Sequence, residues 1–194
     1  MWKIKRMMVW LGRIHRCRGF GVQSPWAYRL VRNVINERYP YYAYAPLAVA
    51  HPHADAVTRK LCELCLRLAN YVQPRRTVCV GARDAAFEAY VKAGCKRTDW
   101  QDMTCEQDMG IAAGVDFALF FPSPLASAGL KAMADGAEDG SMAVLIGIHE
   151  NNDMKLLWRE CRRSVKDVVL FDLYYCGLVC FDRKRYKQEY VINF

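Results

Sequence analysis

Pro74-Arg75-Arg76-Thr77-Val78-Cys79-Val80-Gly81-Ala82-Arg83-Asp84-Ala85-Ala86-Phe87-Glu88 is the stretch on which the reading of this chain turns. Thr77 to Gly81 reads as a short buried strand, Gly81 as the pin of a tight turn, and Asp84 to Ala93 as a helix stopped at Gly94. Strand, glycine turn and helix in that order build a nucleotide-cofactor crevice in open α/β sheets, because glycine lets the backbone approach a ligand at the helix N-terminus. Cys79, Gly81, Ala82 and Arg83 are therefore the candidate cofactor-facing residues. Such a crevice ordinarily carries several glycines and an acid, and here Gly81 stands alone.

On the N-terminal side, Val57, Leu61, Leu64, Cys65, Leu68, Tyr71 and Val72 recur at helical spacing and predict a helix over 54–72, ended by Gln73-Pro74. On the C-terminal side a strand is expected over Thr98 to Gln101. The next strand, Val115 to Phe121, follows after only the segment Asp102 to Gly114, which has room for one short helix and not for a helix, a strand and a helix. A turn at Pro122 to Pro124, a helix over 125–134, a buried strand over Met142 to Ile146 and a helix over 153–163 come next. Val168 to Leu173 and Leu178 to Phe181 flank a short hairpin-like link, and Tyr190 to Phe194 is a final apolar run. Alternating strands and helices closed by an antiparallel pair predict an α/β fold with a Rossmann-like, mostly parallel sheet and a reversed last strand.

Ahead of this unit lies a different kind of sequence. Met1 to Arg38 hold nine Lys or Arg and one acid, Glu37, and so carry the whole of the net charge of +8. Residues 2–18 alternate bulky apolar and basic side chains and predict an amphipathic helix that packs on its own domain with a solvated basic edge. A membrane-surface or nucleic-acid contact is the competing reading, but no RNA-binding signature or helix-turn-helix follows it. Ser24 and Pro25 are placed as N-cap and first residue of a helix over 27–37, and Tyr39 to Tyr44 as an irregular aromatic segment that either packs as a loop or lines a pocket. The organisation expected is a basic and aromatic N-terminal helical extension, 1–53, on a Rossmann-like domain, 54–194.

Nine cysteines, an odd number mostly inside apolar runs, read as reduced core thiols in a cytoplasmic setting. Cys62-Glu-Leu-Cys65 has metal-like spacing, yet no second pair follows at a zinc-finger interval, so no metal is expected. No segment approaches the roughly 18 apolar residues of a membrane span.

The reversed terminal hairpin resembles that of class I S-adenosylmethionine-dependent methyltransferases, and the chain is similar to a group of predicted methyltransferases from Bacteroidetes-type bacteria. Three stretches carry the likeness: His15 through Trp26, Leu64 through Pro74, and Phe171-Asp-Leu-Tyr-Tyr-Cys-Gly-Leu-Val-Cys-Phe-Asp182. The resemblance implies S-adenosylmethionine over Gly81 and a ribose-holding acid about 20 residues further on. That count lands on Gln101 with Asp102 beside it, and Asp99 is the fallback; Asp116 completes the cofactor-side set.

The departures from the family pattern carry the functional argument. Cys79 stands where the family has Glu, and Arg83 and Ala85 stand where it has small residues and glycine. A guanidinium within roughly 4 Å of a sulfonium would repel it by about 4 kcal/mol at an effective dielectric near 20. Binding is expected to suffer unless Arg83 turns to solvent or pairs with the cofactor carboxylate. Phe121 and Gly147 replace acids that would orient substrate or hold a metal, so metal-dependent O-methyl transfer is not expected. The short 102–114 link implies that one strand and one helix are missing beside the crevice. His149, just past a strand's carboxyl end with Glu150 next to it, and Tyr44 are the candidate proton acceptors. The reading is a methyltransferase-like protein with reduced or lost catalysis, a pseudoenzyme. The substrate expected is a small molecule or a protein, and the alternative is a non-catalytic binding or assembly protein using the methyltransferase fold and a basic N-terminal arm.

Overall fold

Alternate residues of each strand sort into two cores, which is what a sheet covered on both faces requires. Cys79, Phe117, Leu119, Val144, Phe171 and Leu178 point to one core, and Val78, Val80, Ala118, Phe120, Leu145 and Leu170 to the other. The computed structural model describes residues 8, 9, 11–13, 21–105, 108, 110 and 112–194. Of the helix expected over 2–18, residues 8, 9 and 11–13 are helical, and the remainder, with Gly19, Phe20 and Cys17, lies outside the described residues.

In chain order the elements are α1 (Pro25–Leu30), a π-helical turn (Val31–Ile35), α2 (Tyr44–Ala50), α3 (Ala56–Val72), β1 (Arg76–Val80), α4 (Ala86–Gly94), β2 (Asp99–Met103), β3 (Phe117–Phe120), α5 (Ala126–Gly136), β4 (Met142–Ile146), α6 (Asn152–Ser164), β5 (Val168–Asp172), β6 (Cys176–Phe181) and β7 (Gln188–Val191). They form a seven-stranded sheet in the order β2-β1-β3-β4-β6-β5-β7. All neighbouring pairs are parallel except those made by β6, which runs against both β4 and β5.

The mostly parallel Rossmann-like sheet with its reversed strand is thus the expected one, with two refinements. No strand forms between Met103 and Phe117 among the described residues, so β2 is an edge strand and the sheet is trimmed on that side. At the opposite edge the C-terminal run, read only as apolar, becomes a strand: β7 pairs parallel to β5, and its Ile192 amide reaches the Asp172 carbonyl at 2.9 Å. The reversed strand is consequently not the last in the chain.

Helix boundaries follow local chemistry. Asp55 caps α3 by accepting the Thr58 amide at 2.7 Å, and Gln73, left-handed at φ 52°, ends it before Pro74. α3 lies so close to α4 that a Cβ on Gly94 would stand 2.2 Å from the Leu66 carbonyl oxygen, so glycine is required there. Ser24 caps α1 as expected. The helix it starts does not continue as α to residue 37: it widens into the π turn, and buried Arg67 of α3 donates to the carbonyls of Val34 at 2.7 Å and Ile35 at 3.1 Å, satisfying groups a helix end leaves open. Ala27, Leu30, Val31, Val34 and Ile35 are buried in the same core as Phe171 and Leu178, so this part of the N-terminal extension packs on the sheet. Cys62, Cys65, Cys79, Cys95, Cys161, Cys176 and Cys180 are buried free thiols, and Cys105 is exposed. No helix among the described residues is long and apolar enough to cross a membrane.

Candidate functional site

The carboxyl edge of the parallel strands is where a ligand of an open α/β sheet is expected, and two clusters of charged side chains stand on it. The first is at β1 and β2. Gly81 leaves β1 at φ 93°, a conformation that favours glycine, and a Cβ added there would come within 3.0 Å of Ser123 Cβ and 3.2 Å of the Phe121 carbonyl. Two residues later Arg83 turns back over the sheet rather than out to solvent. Its Nε donates to Asp102 Oδ1 and its Nη2 to Asp102 Oδ2, both at 3.1 Å, and Nη2 also meets Glu88 at 2.7 Å. The guanidinium lies over the Trp100 ring, 4.8 Å from its centroid, and Trp100 Nε1 donates to Asp102 Oδ1 at 3.2 Å. The Arg83 side chain is only 12% exposed, although Asp102 is 45% exposed.

Beneath this pair sits Cys79, in register with Asp102. Burial pushes its thiol up to about 12, with Arg83 pulling the other way, so it is held as a neutral thiol. Beside the cluster an open hollow of about 310 Å³ is floored by Leu61, Phe87, Phe121 and Ile146 and rimmed by Ala82 and Arg83. Cys79, Gly81, Ala82, Arg83 and Asp102 are therefore brought together. Gln101, on the opposite face of β2 from Asp102, donates instead to Asp99 at 2.7 Å.

Asp116 is placed elsewhere, and this corrects its assignment to the crevice. Its Oδ2 accepts the amides of Arg75 at 2.8 Å and Arg76 at 3.1 Å at the start of β1, with the length of the strand, about 15 Å, between it and Gly81. It ties β1 to β3 at their amino ends. Parallel pairing, which puts strand starts at one edge and strand ends at the other, is the reason.

The second cluster is at the ends of β4 and β5. His149 Nε2 is 2.8 Å from Asp172 Oδ2, and its ring stacks on Tyr174 with centroids 5.3 Å apart. Arg13 Nη1 donates to Asp172 Oδ1 at 2.9 Å and to its carbonyl at 3.1 Å, with the guanidinium over Tyr174, and the Tyr174 amide also donates to Oδ1 at 2.9 Å. Burial pushes the Asp172 carboxyl up, but the bonds from His149 and Arg13 outweigh it and hold the group at about 2. Asp172 is the orienting partner of His149, a part that sequence reasoning offered to the adjacent Glu150. The signal was available: Asp172 is an acid closing an otherwise apolar strand.

Tyr44 does not join His149. Its hydroxyl accepts from Arg67 Nη1 at 2.8 Å, and its ring packs with Tyr41 and Tyr90. Burial raises its phenol above the usual value despite Arg67, which makes it a poor proton acceptor; it is a buttress for the π turn. Among the described residues no group of three or more His, Cys, Asp or Glu could hold a metal ion.

No family model and no curated protein matches the sequence. Solved structures do match the fold. The SAH-bound methyltransferase PaMTH1 of Podospora anserina superposes at TM-score 0.51 with 9% identity over 82% of this chain and 97% of its own. The O-methyltransferase TomG of Streptomyces achromogenes, in complex with SAM, does so at 0.52 with 12% identity over 74% and 91%. A cofactor-bound protein from MTB, Rv0187, matches at 0.53 with 12% identity over 82% and 97%. At such identities the likeness is one of fold.

Proposed function

We propose that this chain is a methyltransferase-fold protein whose adenosyl corner is closed by its own Arg83, so that S-adenosylmethionine is not held there and methyl transfer is reduced or lost. The observation that carries the reading is the Arg83 to Asp102 pair. Asp102 is the residue expected to accept the ribose hydroxyls, and both its oxygens are already engaged by Arg83 and Trp100. Charge-assisted hydrogen bonds contribute about 1.5–3 kcal/mol each where shielded, and less at a half-exposed acid. Displacing Arg83 would therefore weaken cofactor binding by about two- to fivefold before the repulsion between guanidinium and sulfonium is counted. The residues present do not fit the cofactor as they stand. The missing strand beside β2 and the lone Gly81 agree with a degenerate crevice in a relative of the bacterial group that the end motifs resemble. On this reading the protein is cytoplasmic, and the 1–53 extension is the working surface of a non-catalytic binding protein.

A second reading has one observation in its favour. His149, oriented by Asp172 at a strand's carboxyl end, has the arrangement of a general base and its orienter, and would serve as proton acceptor if transfer survives.

Calorimetry with S-adenosylmethionine and S-adenosylhomocysteine separates the two. The wild-type protein is expected to show no saturable binding at low millimolar ligand, and Arg83→Gly to gain it by freeing Asp102. Micromolar binding by the wild type, weakened by Asp102→Ala, would overturn the proposal.

A further inference from the structure

A cavity larger than the hollow at the adenosyl corner lies away from it. It is an open groove of about 800 Å³ between the π turn and α3, with Arg32, Arg38, Tyr39 and Lys60 in its wall. A second hollow of about 550 Å³ shares Asn33 and Arg67 with it and is flanked by Trp26, Arg29, Tyr41 and Tyr71. Through these shared side chains the two hollows adjoin, a track lined by α1, the π turn and α3.

Three features of this track point to one class of ligand. Three of its arginines are uncommitted: among the described residues Arg29, Arg32 and Arg38 pair with no carboxylate. Its two acids are committed, since Glu37 Oε1 accepts the amides of Arg38 at 3.1 Å and Tyr39 at 3.3 Å, and Glu63 lies among Arg67, Arg59 and Lys60. Finally, two of its tyrosines face water: Tyr39, in the wall of the first hollow, is 78% exposed, and Tyr71, flanking the second, is 46% exposed. A tyrosine left in water beside unpaired arginines contributes nothing to the core. It is what a base needs as a stacking platform while arginines meet the phosphates.

We infer that this groove binds single-stranded nucleic acid, phosphates running past Arg29, Arg32 and Arg38 and bases stacking on Tyr39. The width that an A- or B-form duplex would need is not required, because a single strand can lay its bases one at a time on separate rings. The groove's lining shares no residue with the Arg83 cluster, so the inference stands whether or not S-adenosylmethionine binds.

The test is fluorescence anisotropy of the full chain with labelled oligouridine and oligodeoxythymidine of about 12 nucleotides, long enough to cover both hollows. Saturable binding is expected, with three phosphate contacts lowering affinity by about 20-fold between roughly 50 and 200 mM salt. The double variant Arg32→Glu, Arg38→Glu is expected to weaken binding by at least tenfold, and Tyr39→Ala by at least fivefold. All three positions are exposed, and circular dichroism checks that the variants fold. Three results would overturn the inference: no binding at tens of micromolar protein; binding that Tyr39→Ala leaves unchanged, which marks a generic polyanion; or retention on phosphatidylserine vesicles without retention of the oligonucleotides.

Discussion

The two charged clusters on the carboxyl edge of the sheet are built from the same parts and end in opposite states. In each, an acid at or near the end of a strand is met by an arginine lying over an aromatic ring: Asp102, Arg83 and Trp100 in one, Asp172, Arg13 and Tyr174 in the other. At β2 the arginine comes from the turn next to the strand, and the acid remains 45% exposed. At β5 the arginine comes from the far N-terminal segment, the acid is 9% exposed, and a histidine shares it. The first cluster engages its acid with a local side chain. The second uses a distant residue to fasten the N-terminal segment to the sheet, and keeps a half-buried imidazole at its rim.

That contrast is open to direct attack. The largest effect is expected from Asp172→Ala, which strands Arg13 and removes the partner of His149; loss of one member of a buried pair costs about 3 kcal/mol, read as a fall in the urea midpoint. Acid should act on the same group. Because the folded pKa of Asp172 is lowered to about 2 from 3.8, its stabilisation is full above the unfolded value and is lost as pH falls from about 4 toward 2. The amount is about 2 kcal/mol. Urea unfolding at pH 5 and pH 2.5 should show that loss in the wild type and much less of it in Asp172→Asn, which has no carboxyl to titrate. Asp102→Ala is expected to do least, about 0.5–1 kcal/mol, because its pair with Arg83 is screened by water on one side. Equal losses for the two alanine variants would show that the clusters do not differ as described.

Most of the sheet could be read in the chain because period-two and helical spacings survive at β1, β3, β4, β5 and along α3, where burial on one or both faces dictates residue type. β7 could not. Gln188, Glu189 and Tyr190 are half-exposed or exposed edge residues, and what makes them a strand is the free side of β5, a tertiary fact. α2 was missed for a related reason: Pro46 falls in its first turn, where proline is tolerated, but beside Pro40 and four tyrosines the segment reads as irregular. In the site, local residues were legible. Arg83 follows Gly81 by two positions, and Asp102 stands one residue beyond Gln101, where the expected count ends. The Arg13 to Asp172 contact spans 159 positions and carries no local signal. Asp116 did not belong with Arg83 and Asp102: second in the expected strand Val115 to Phe121, it sits at the amino end, away from the crevice.

The π turn has a consequence for the shape of the surface. An α-helix advances about 100° per residue, and widening one turn by a residue re-phases everything that follows. Arg67 holds that wider turn by gripping the Val34 and Ile35 carbonyls, so one interior cation sets the compass bearing at which Glu37, Arg38 and Tyr39 emerge. Were Arg67 replaced by methionine, the coil would be free to tighten by one residue, and the outermost tyrosine would swing round the helix axis although nothing on the exterior had been altered.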